Sequence, residues 1–417
     1  MLPNDFQINA DRLEGLLRDL GQIGKDPRGG TSRIAFSPED QAGRKWVMEQ
    51  MTKAGLEVWV DEAANIHGRR TGRHPEAPAI LFGSHIDTVP RGGNFDGCLG
   101  SLGALEVLLT IEDRGFTPQH PLEMVIWSNE EGAHLGMGFF GSRAATFGIE
   151  PHELEVTDDV GTTQAEWLRR YGQDPAKIET ARLDRTKLAA CLELHIEQGP
   201  LLFREGIQIG VVEGIVGVGR YEVNITGAAN HAGTTPMNDR RDALFSAARL
   251  TQAVREEIVS KPGRQVGNVG FIRASPGVAN VISGHVKMPI ELRDLDPAVI
   301  EDIMERIKRR ARRVAEEENV TIDIQLTGRE EPAPTDPAVQ DVIEKAAKHS
   351  GLSTLRMPSG AGHDAQLLAR LGVPTGMIFV PSKDGVSHSP REWTEWEDCA
   401  RGVEVLYRTI LAIDEVM

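Results

Sequence analysis

Cysteine is scarce: three residues in a chain of 417, at positions 98, 191 and 399. An odd and widely spaced set offers no disulfide framework and suits a reducing compartment. Cys98 stands beside Asp96, but it reads as a small buried residue and not as a nucleophile. No run of eighteen apolar residues occurs, so no membrane-spanning helix is expected and no membrane partner either. The opening residues, Met1-Leu2-Pro3-Asn4-Asp5, lack the basic and apolar regions of a secretory signal, and a cytoplasmic location is expected. Basic charge is in deficit. The 46 Lys and Arg face 62 Asp and Glu, a net charge of −16, which disfavours nucleic acid as a partner and favours solubility. Internal repeats and low-complexity tracts are absent as well.

What is present is a chain long enough for two domains, with an ordinary 40% of apolar residues. Its most informative stretch runs from Gly83 to Glu131. The apolar runs Ala79-Ile80-Leu81-Phe82 and Leu122-Glu123-Met124-Val125-Ile126-Trp127 read as buried strands. Just past them lie His85, Asp87, Asp96, Glu130 and Glu131. Sites collect beyond strand ends in open α/β sheets, and one imidazole with several carboxylates suits a divalent metal. A paired Glu130-Glu131 lets one carboxylate bind metal while the other handles a proton. Two further pieces follow apolar runs: Glu193-Leu194-His195-Ile196-Glu197-Gln198-Gly199 and Gly385-Val386-Ser387-His388-Ser389-Pro390. Each group alone reads as a solvated turn or a structural histidine; the ordered set is far more specific.

Elsewhere the pattern is structural. Asn9 caps a first helix, Ser37-Pro38 starts a second, and a third spans about Leu99 to Asp113. His67 and His74 read as surface residues. From about residue 212 the order becomes β-α-β-β-α-β, a ferredoxin-like two-layer domain. Its first helix is expected to bury Leu244, Ala247, Ala248, Val254 and Ile258, and its second Ile300, Ile303, Ile307 and Val314. In the strand His285 to Arg293, Val286, Met288, Ile290 and Leu292 face the helices while Arg293 faces away. A proline-rich linker, Gly328 to Pro337, leads back to the first domain. The expected division is 1–211 and 330–417 for the first domain and 212–329 for the inserted one.

The ordered motifs resemble the dinuclear metal amidohydrolases of the aminoacylase and carboxypeptidase (peptidase M20) family. They are most similar to its N-carbamoyl-L-amino acid hydrolase and allantoate amidohydrolase branch. The resemblance spans Gly29-Gly30-Thr31-Ser32-Arg33 to the segment after His388. It implies a mixed-sheet, zinc-peptidase-like catalytic domain whose inserted lid also makes a homodimer. It further implies two divalent ions per subunit, Zn²⁺ by default, with Mn²⁺, Co²⁺ or Ni²⁺ tolerated. Asp96 would bridge them, His85 and His195 completing one site and Glu131 and His388 the other. Asp87 would fix the tautomer of His85, and Glu130 would be the general base that activates a metal-bridging hydroxide. Gln198, His231, Asn280, Arg293 and Gly362 match substrate-contacting positions: His231 would steady the oxyanion, reaching a neighbouring subunit's site, and Arg293 would grip a substrate carboxylate. His363, in the same glycine-rich loop as Gly362, reads as structural. His134 and Leu135 stand where related carbamoylases carry an Arg and an aromatic residue, which leaves the exact substrate open.

The expected activity is therefore hydrolysis of a linear amide or ureido bond in a small carboxylate-bearing substrate, first an N-carbamoyl-L-amino acid. Allantoate, ureidoglycolate and 3-ureidopropanoate are alternatives, as is an N-acyl amino acid hydrolase or peptidase of the same fold. A catalytically dead binding protein is the remaining reading, and the intact Glu130 weighs against it.

Overall fold

The computed structural model describes residues 7–416; the opening residues Met1 to Asp5 lie outside them. The described chain divides into two units, one of residues 7–214 with 334–416 and one of residues 215–333. Among the described residues no helix is long and apolar enough to cross a membrane.

The first unit opens with α1 (Ala10–Leu20), whose cap Asn9 accepts the Arg12 N–H at 3.0 Å and whose Leu13, Leu17 and Leu20 are buried. α2 (Pro38–Lys53) starts where Ser37 accepts the Asp40 N–H at 3.1 Å. Then come β1 (Glu57–Val60), β2 (Ile66–Arg70), β3 (Ala79–His85), α3 (Cys98–Asp113) and β4 (Leu122–Trp127). α4 (Phe140–Thr146), α5 (Gln164–Arg170), β5 (Leu188–Ile196), α6 (Leu201–Glu205) and β6 (Ile209–Ile215) complete this part. β3 and β4 are buried at every position, as parallel strands covered on both faces must be. α3 is buried nearly all round and is apolar to match, with Leu99, Leu102, Leu105 and Leu108 in the main core.

The second unit is built on β7 (Gly217–Thr226), followed by the two-residue β8 (Asn230–His231) and α7 (Ala243–Ser260). After it come β9 (Val266–Asn268), β10 (Arg273–Ser275), β11 (Val281–Ile282), β12 (His285–Asp294), α8 (Pro297–Glu317) and β13 (Thr321–Glu330). The strand expected before β12 is broken into β9 and β10, both paired with β12. The sheet runs β10-β12-β7-β13, and β8 pairs with β11 apart from it. Val286, Met288, Ile290 and Leu292 are buried, as are Ile300, Ile303, Ile307 and Val314. The face expected for α7 is met at Ala247, Val254 and Ile258 and missed at two positions. Leu244 and Ala248 are exposed, and Ala243, Ala247, Leu250, Val254 and Ile258 face inward. The helix starts one residue past its cap Asp242, which turns Ala243 and not Leu244 toward the sheet.

The chain returns to the first unit through β14 (Ala333–Pro334), α9 (Pro337–His349), β15 (Thr354–Ser359), α10 (Ala365–Leu371), β16 (Thr375–Val380) and α11 (Trp396–Val416). Its mixed sheet has the order β1-β2-β4-β3-β5-β16-β6-β14, with β15 on β6. β3 pairs in parallel with both β4 and β5, and β16 in parallel with β5. The connections leaving β3 and β5 thus diverge, and the crevice beyond their carboxyl ends is where ligands bind in such sheets.

His67 is not a surface residue. It is 3% exposed, stacked on Trp59 at 4.9 Å, with Nδ1 3.0 Å from Glu123 and Nε2 3.3 Å from Asp61. Strand pairing assembles this trio: β1 sets Trp59 beside His67, and β2 lies along β4, which carries Glu123. Burial disfavours the imidazolium, but the two carboxylates outweigh it and raise the pKa of His67 from 6.5 to about 9. A raised folded pKa contributes stability that is full below pH 6.5 and is lost as pH rises through 9. The contribution is on the order of 3 kcal/mol at about 1.4 kcal/mol per unit. His67→Gln should therefore be destabilised most at pH 6 and progressively less toward pH 9.5, read from urea unfolding. A gap independent of pH would refute the charged trio.

Candidate metal centre

Glycine and strain bring the candidate ligands together. His85 is the last residue of β3 and His195 the next to last of β5, so both imidazoles emerge at the same end of the sheet. Between β3 and α3 the chain turns at Gly97, whose φ is 63°. A Cβ there would lie 2.4 Å from the His85 ring, so only glycine lets Asp96 fold back over that histidine. Four non-glycine residues of the site also take positive φ: Asn129 at 50°, Phe139 at 57°, Gln198 at 58° and His388 at 51°. Such conformations cost energy and persist where the surroundings over-determine them, as at functional sites. The Asn129 amide helps fix its own turn, donating to the carbonyls of His134 and Met137 at 3.1 Å each.

Asp96 lies at the centre. Its Oδ1 is 3.1 Å from His195 Nε2 and 3.8 Å from His85 Nε2. Its Oδ2 is 3.1 Å from His388 Nε2, which is 3.2 Å from Glu131. Two groups of donors result, His85 with Asp96 and His195, and Asp96 with Glu131 and His388; within each, the ligand atoms lie within 4.8 Å of one another. The outer nitrogens are tied back. His85 Nδ1 donates to the Asp87 carbonyl at 3.0 Å and His195 Nδ1 to the Ile196 carbonyl at 2.9 Å. Each tie turns Nε2 toward Asp96, where a metal would replace any proton it carries, the arrangement a metal-binding histidine needs.

The Asp87 carboxylate is 3.7 Å from His85 Nδ1, so its main-chain carbonyl, not its side chain, makes that bond. The carboxylate instead accepts the N–H groups of Glu130 and Glu131 at 3.3 Å each, fixing the acidic pair. Gln198 Nε2 donates to Asp96 Oδ2 at 2.8 Å. A cleft of about 220 Å³ opens here, lined by Asp96, both glutamates, His195, His388, Gln198, Phe139 and Gly362. His363 also lines it; its Nε2 lies 2.9 Å from Ser359 Oγ and its ring packs edge-on against His195 at 4.5 Å. His134 is turned away, packed between Phe36 and Trp167. His231, Asn280 and Arg293 belong to the second unit. The first two are exposed, with the Asn280 carbonyl accepting the Ala232 N–H at 2.9 Å, and Arg293 donates to Glu291 on its own strand at 2.8 Å.

The electrostatics fit a cation. Burial, then repulsion from Asp364, Glu131, Asp87 and Asp96, pushes the Glu130 carboxyl well above its usual range. Burial and Asp96 raise Glu131 to about 9. Burial drives His85 down to about 4. Burial also opposes a charged His195, but its hydrogen bond to Asp96 prevails and raises it to about 9. A divalent cation would relieve the carboxylate repulsion and compete with that proton for the same nitrogen. The donor set is hard carboxylate oxygen with imidazole nitrogen, which fits Zn²⁺ or Mn²⁺.

Glu392 takes part without having been singled out in the sequence. It accepts the Phe95 and Asp96 N–H groups at 3.0 and 3.1 Å and the Ser387 hydroxyl at 2.9 Å. Ser387 also stands 3.0 Å from Asp96 Oδ2. Its place four residues after His388 is the only sequence signal for it. Buried Glu193 is similar, accepting Ser84 Oγ at 2.7 Å and the Ala365 N–H at 2.8 Å.

Residues 81–412 match the family described as peptidase family M20/M25/M40. The N-carbamoyl-L-amino acid amidohydrolase of Geobacillus stearothermophilus is 41% identical over 403 residues, 97% of this chain and 98% of that one. The allantoate amidohydrolase of Escherichia coli K12 is 36% identical over 397 residues, 94% of this chain and 95% of that one. Among solved structures, an amidase of the hydantoinase/carbamoylase family from Burkholderia multivorans superposes with a TM-score of 0.92 at 35% identity, covering 98% of each chain.

Gly97→Ala should leave the secondary structure intact but push His85 off Asp96, weakening metal binding by about 10–100-fold. Circular dichroism with metal titration of the stripped protein checks this, and unaltered affinity would contradict the close packing described.

Proposed function

The chain belongs to peptidase family M20/M25/M40, and from that premise we propose that it is an amidohydrolase that cleaves a linear ureido bond in a small carboxylate-bearing substrate, first an N-carbamoyl-L-amino acid. The observation that carries the reading is the shared carboxylate of Asp96, one oxygen toward His85 and His195 and the other toward His388, with the buried Glu130 beside them. Its overall support is the similarity to amidohydrolases over nearly the whole chain. Two divalent ions, Zn²⁺ by default, would be held by His85, Asp96 and His195 and by Asp96, Glu131 and His388. Bound there, they supply a polarised scissile carbonyl and a more acidic water.

The rest is the work of side chains. Glu130 takes a proton from the attacking water and passes it to the leaving nitrogen. Its buried carboxylate, 3.6 Å from His85 Nε2, stands beside the candidate ligands, where it can take that proton and release it. Asp87 holds the backbone of Glu130 and Glu131 so that base and ligand keep their spacing. Gln198, with an amide on Asp96, orients that carboxylate and borders the substrate. The second unit is a ferredoxin-like lid in this reading, which its strand order β10-β12-β7-β13 and two helices on one face support. It brings His231, Asn280 and Arg293 to the substrate and pairs two chains; the exposed Phe245 and Val259 of α7 support a covered face there. Allantoate, ureidoglycolate and 3-ureidopropanoate remain second substrates of the same chemistry.

Ammonia release from N-carbamoyl-L-amino acids, allantoate and ureidoglycolate, with an N-acetyl amino acid and a dipeptide as controls, tests the substrate class. Hydrolysis of the controls alone would overturn it. Glu130→Gln should retain metal and lose about 10²–10⁴-fold in kcat; near-normal turnover would reject Glu130 as the base.

A further inference from the structure

The lining of the cleft beside the candidate ligands is of two unlike kinds. The two glutamates, Asp96, Gln198 and the histidines are polar; Gly138, Phe139, Ala361 and Gly362 offer no polar side chain. Phe139 is the only large apolar side chain among the lining residues. Its neighbour Phe140 is fully buried, whereas Phe139 is half-buried.

The ring is fixed in place. Phe139 takes a left-handed backbone, φ 57°, unfavourable for a bulky residue and kept only where neighbours enforce it. Its N–H donates to the Glu130 carbonyl at 2.9 Å, and the Phe140 N–H donates to the Asn129 carbonyl at 3.3 Å. The aromatic wall and the candidate base thus share one closed loop. Gly362 supports the ring so closely that a Cβ there would lie 2.6 Å from Phe139 Cζ.

A polar substituent placed against this wall would lose water without gaining a partner. An apolar side chain would be favoured by burial of its surface. We propose that Phe139 is a specificity-determining residue. It makes the site selective for ureido acids with an apolar side chain, such as the N-carbamoyl derivatives of leucine, methionine and phenylalanine, over those bearing a hydroxyl or a second ureido group. This rests on the amidohydrolase reading above and narrows it.

The test is the ratio of kcat/KM for N-carbamoyl-L-methionine to that for ureidoglycolate, with allantoate as a second polar substrate. The wild type should favour the apolar substrate by about tenfold or more. Phe139→Ala should cut the ratio by about tenfold. Phe139→Asn should cut it at least as far; asparagine accepts a left-handed backbone well, so this variant keeps the loop if the alanine disturbs it. Metal content and melting temperature report on the fold in both. A wild type that prefers ureidoglycolate, or a ratio unmoved in a folded, metal-loaded variant, overturns the inference and leaves the amidohydrolase reading standing. A wild type that hydrolyses no ureido acid overturns both.

Discussion

The site depends on a single buried carboxylate. Asp96 faces two imidazoles with one oxygen and a third with the other, and much of the surrounding structure serves to hold it there. Gly97 removes the Cβ that would strike His85. Glu392 takes the amides of Phe95 and Asp96, and Ser387 and Gln198 approach the outer oxygen. A carboxylate placed among other carboxylates in a buried pocket is unstable alone, so the histidines and these donors must offset the repulsion. Burial resists ionisation of Asp96, yet the hydrogen bonds from His195 and His388 hold it well below the usual carboxylate range.

The sheet makes this convergence possible. Parallel β3, β4 and β5 end at the same edge, so residues far apart in sequence leave the strands side by side. The apolar, nearly all-round buried α3 packs behind them and is itself covered by α1 and α11. Rigid strands then set the imidazoles while loops with strained backbones set Glu130, Gln198 and His388. Rigid scaffold and functional loop divide the labour in the usual way.

Much of this is legible in sequence. Apolar runs mark the buried strands, and His, Asp and Glu residues just beyond them mark the candidate ligands, because strand ends and metal chemistry both leave local patterns. What depends on distant pairing is not legible. Glu392 meets Asp96 across 296 positions, and no local pattern announces that. His67 reads as exposed because Glu123, 56 residues away, becomes its partner only when β2 and β4 pair. The face of α7 is missed only in part, for a smaller reason: Leu244 looks like core but is turned outward by the phase that Asp242 sets, while Ala247, Val254 and Ile258 are buried as expected. Phe139 escapes notice because a left-handed turn aims its ring, and the sequence gives no sign of that turn.

In the function proposed above, these residues act through a bound divalent cation on a ureido substrate. The most direct measurement is ammonia release from N-carbamoyl-L-methionine by protein stripped of metal with a chelator, then titrated with Zn²⁺ or Mn²⁺. No turnover is expected in the stripped protein, and recovery should track the metal bound, with Asp96→Asn recovering little at any concentration. Full turnover in a preparation verified to be free of metal would contradict it.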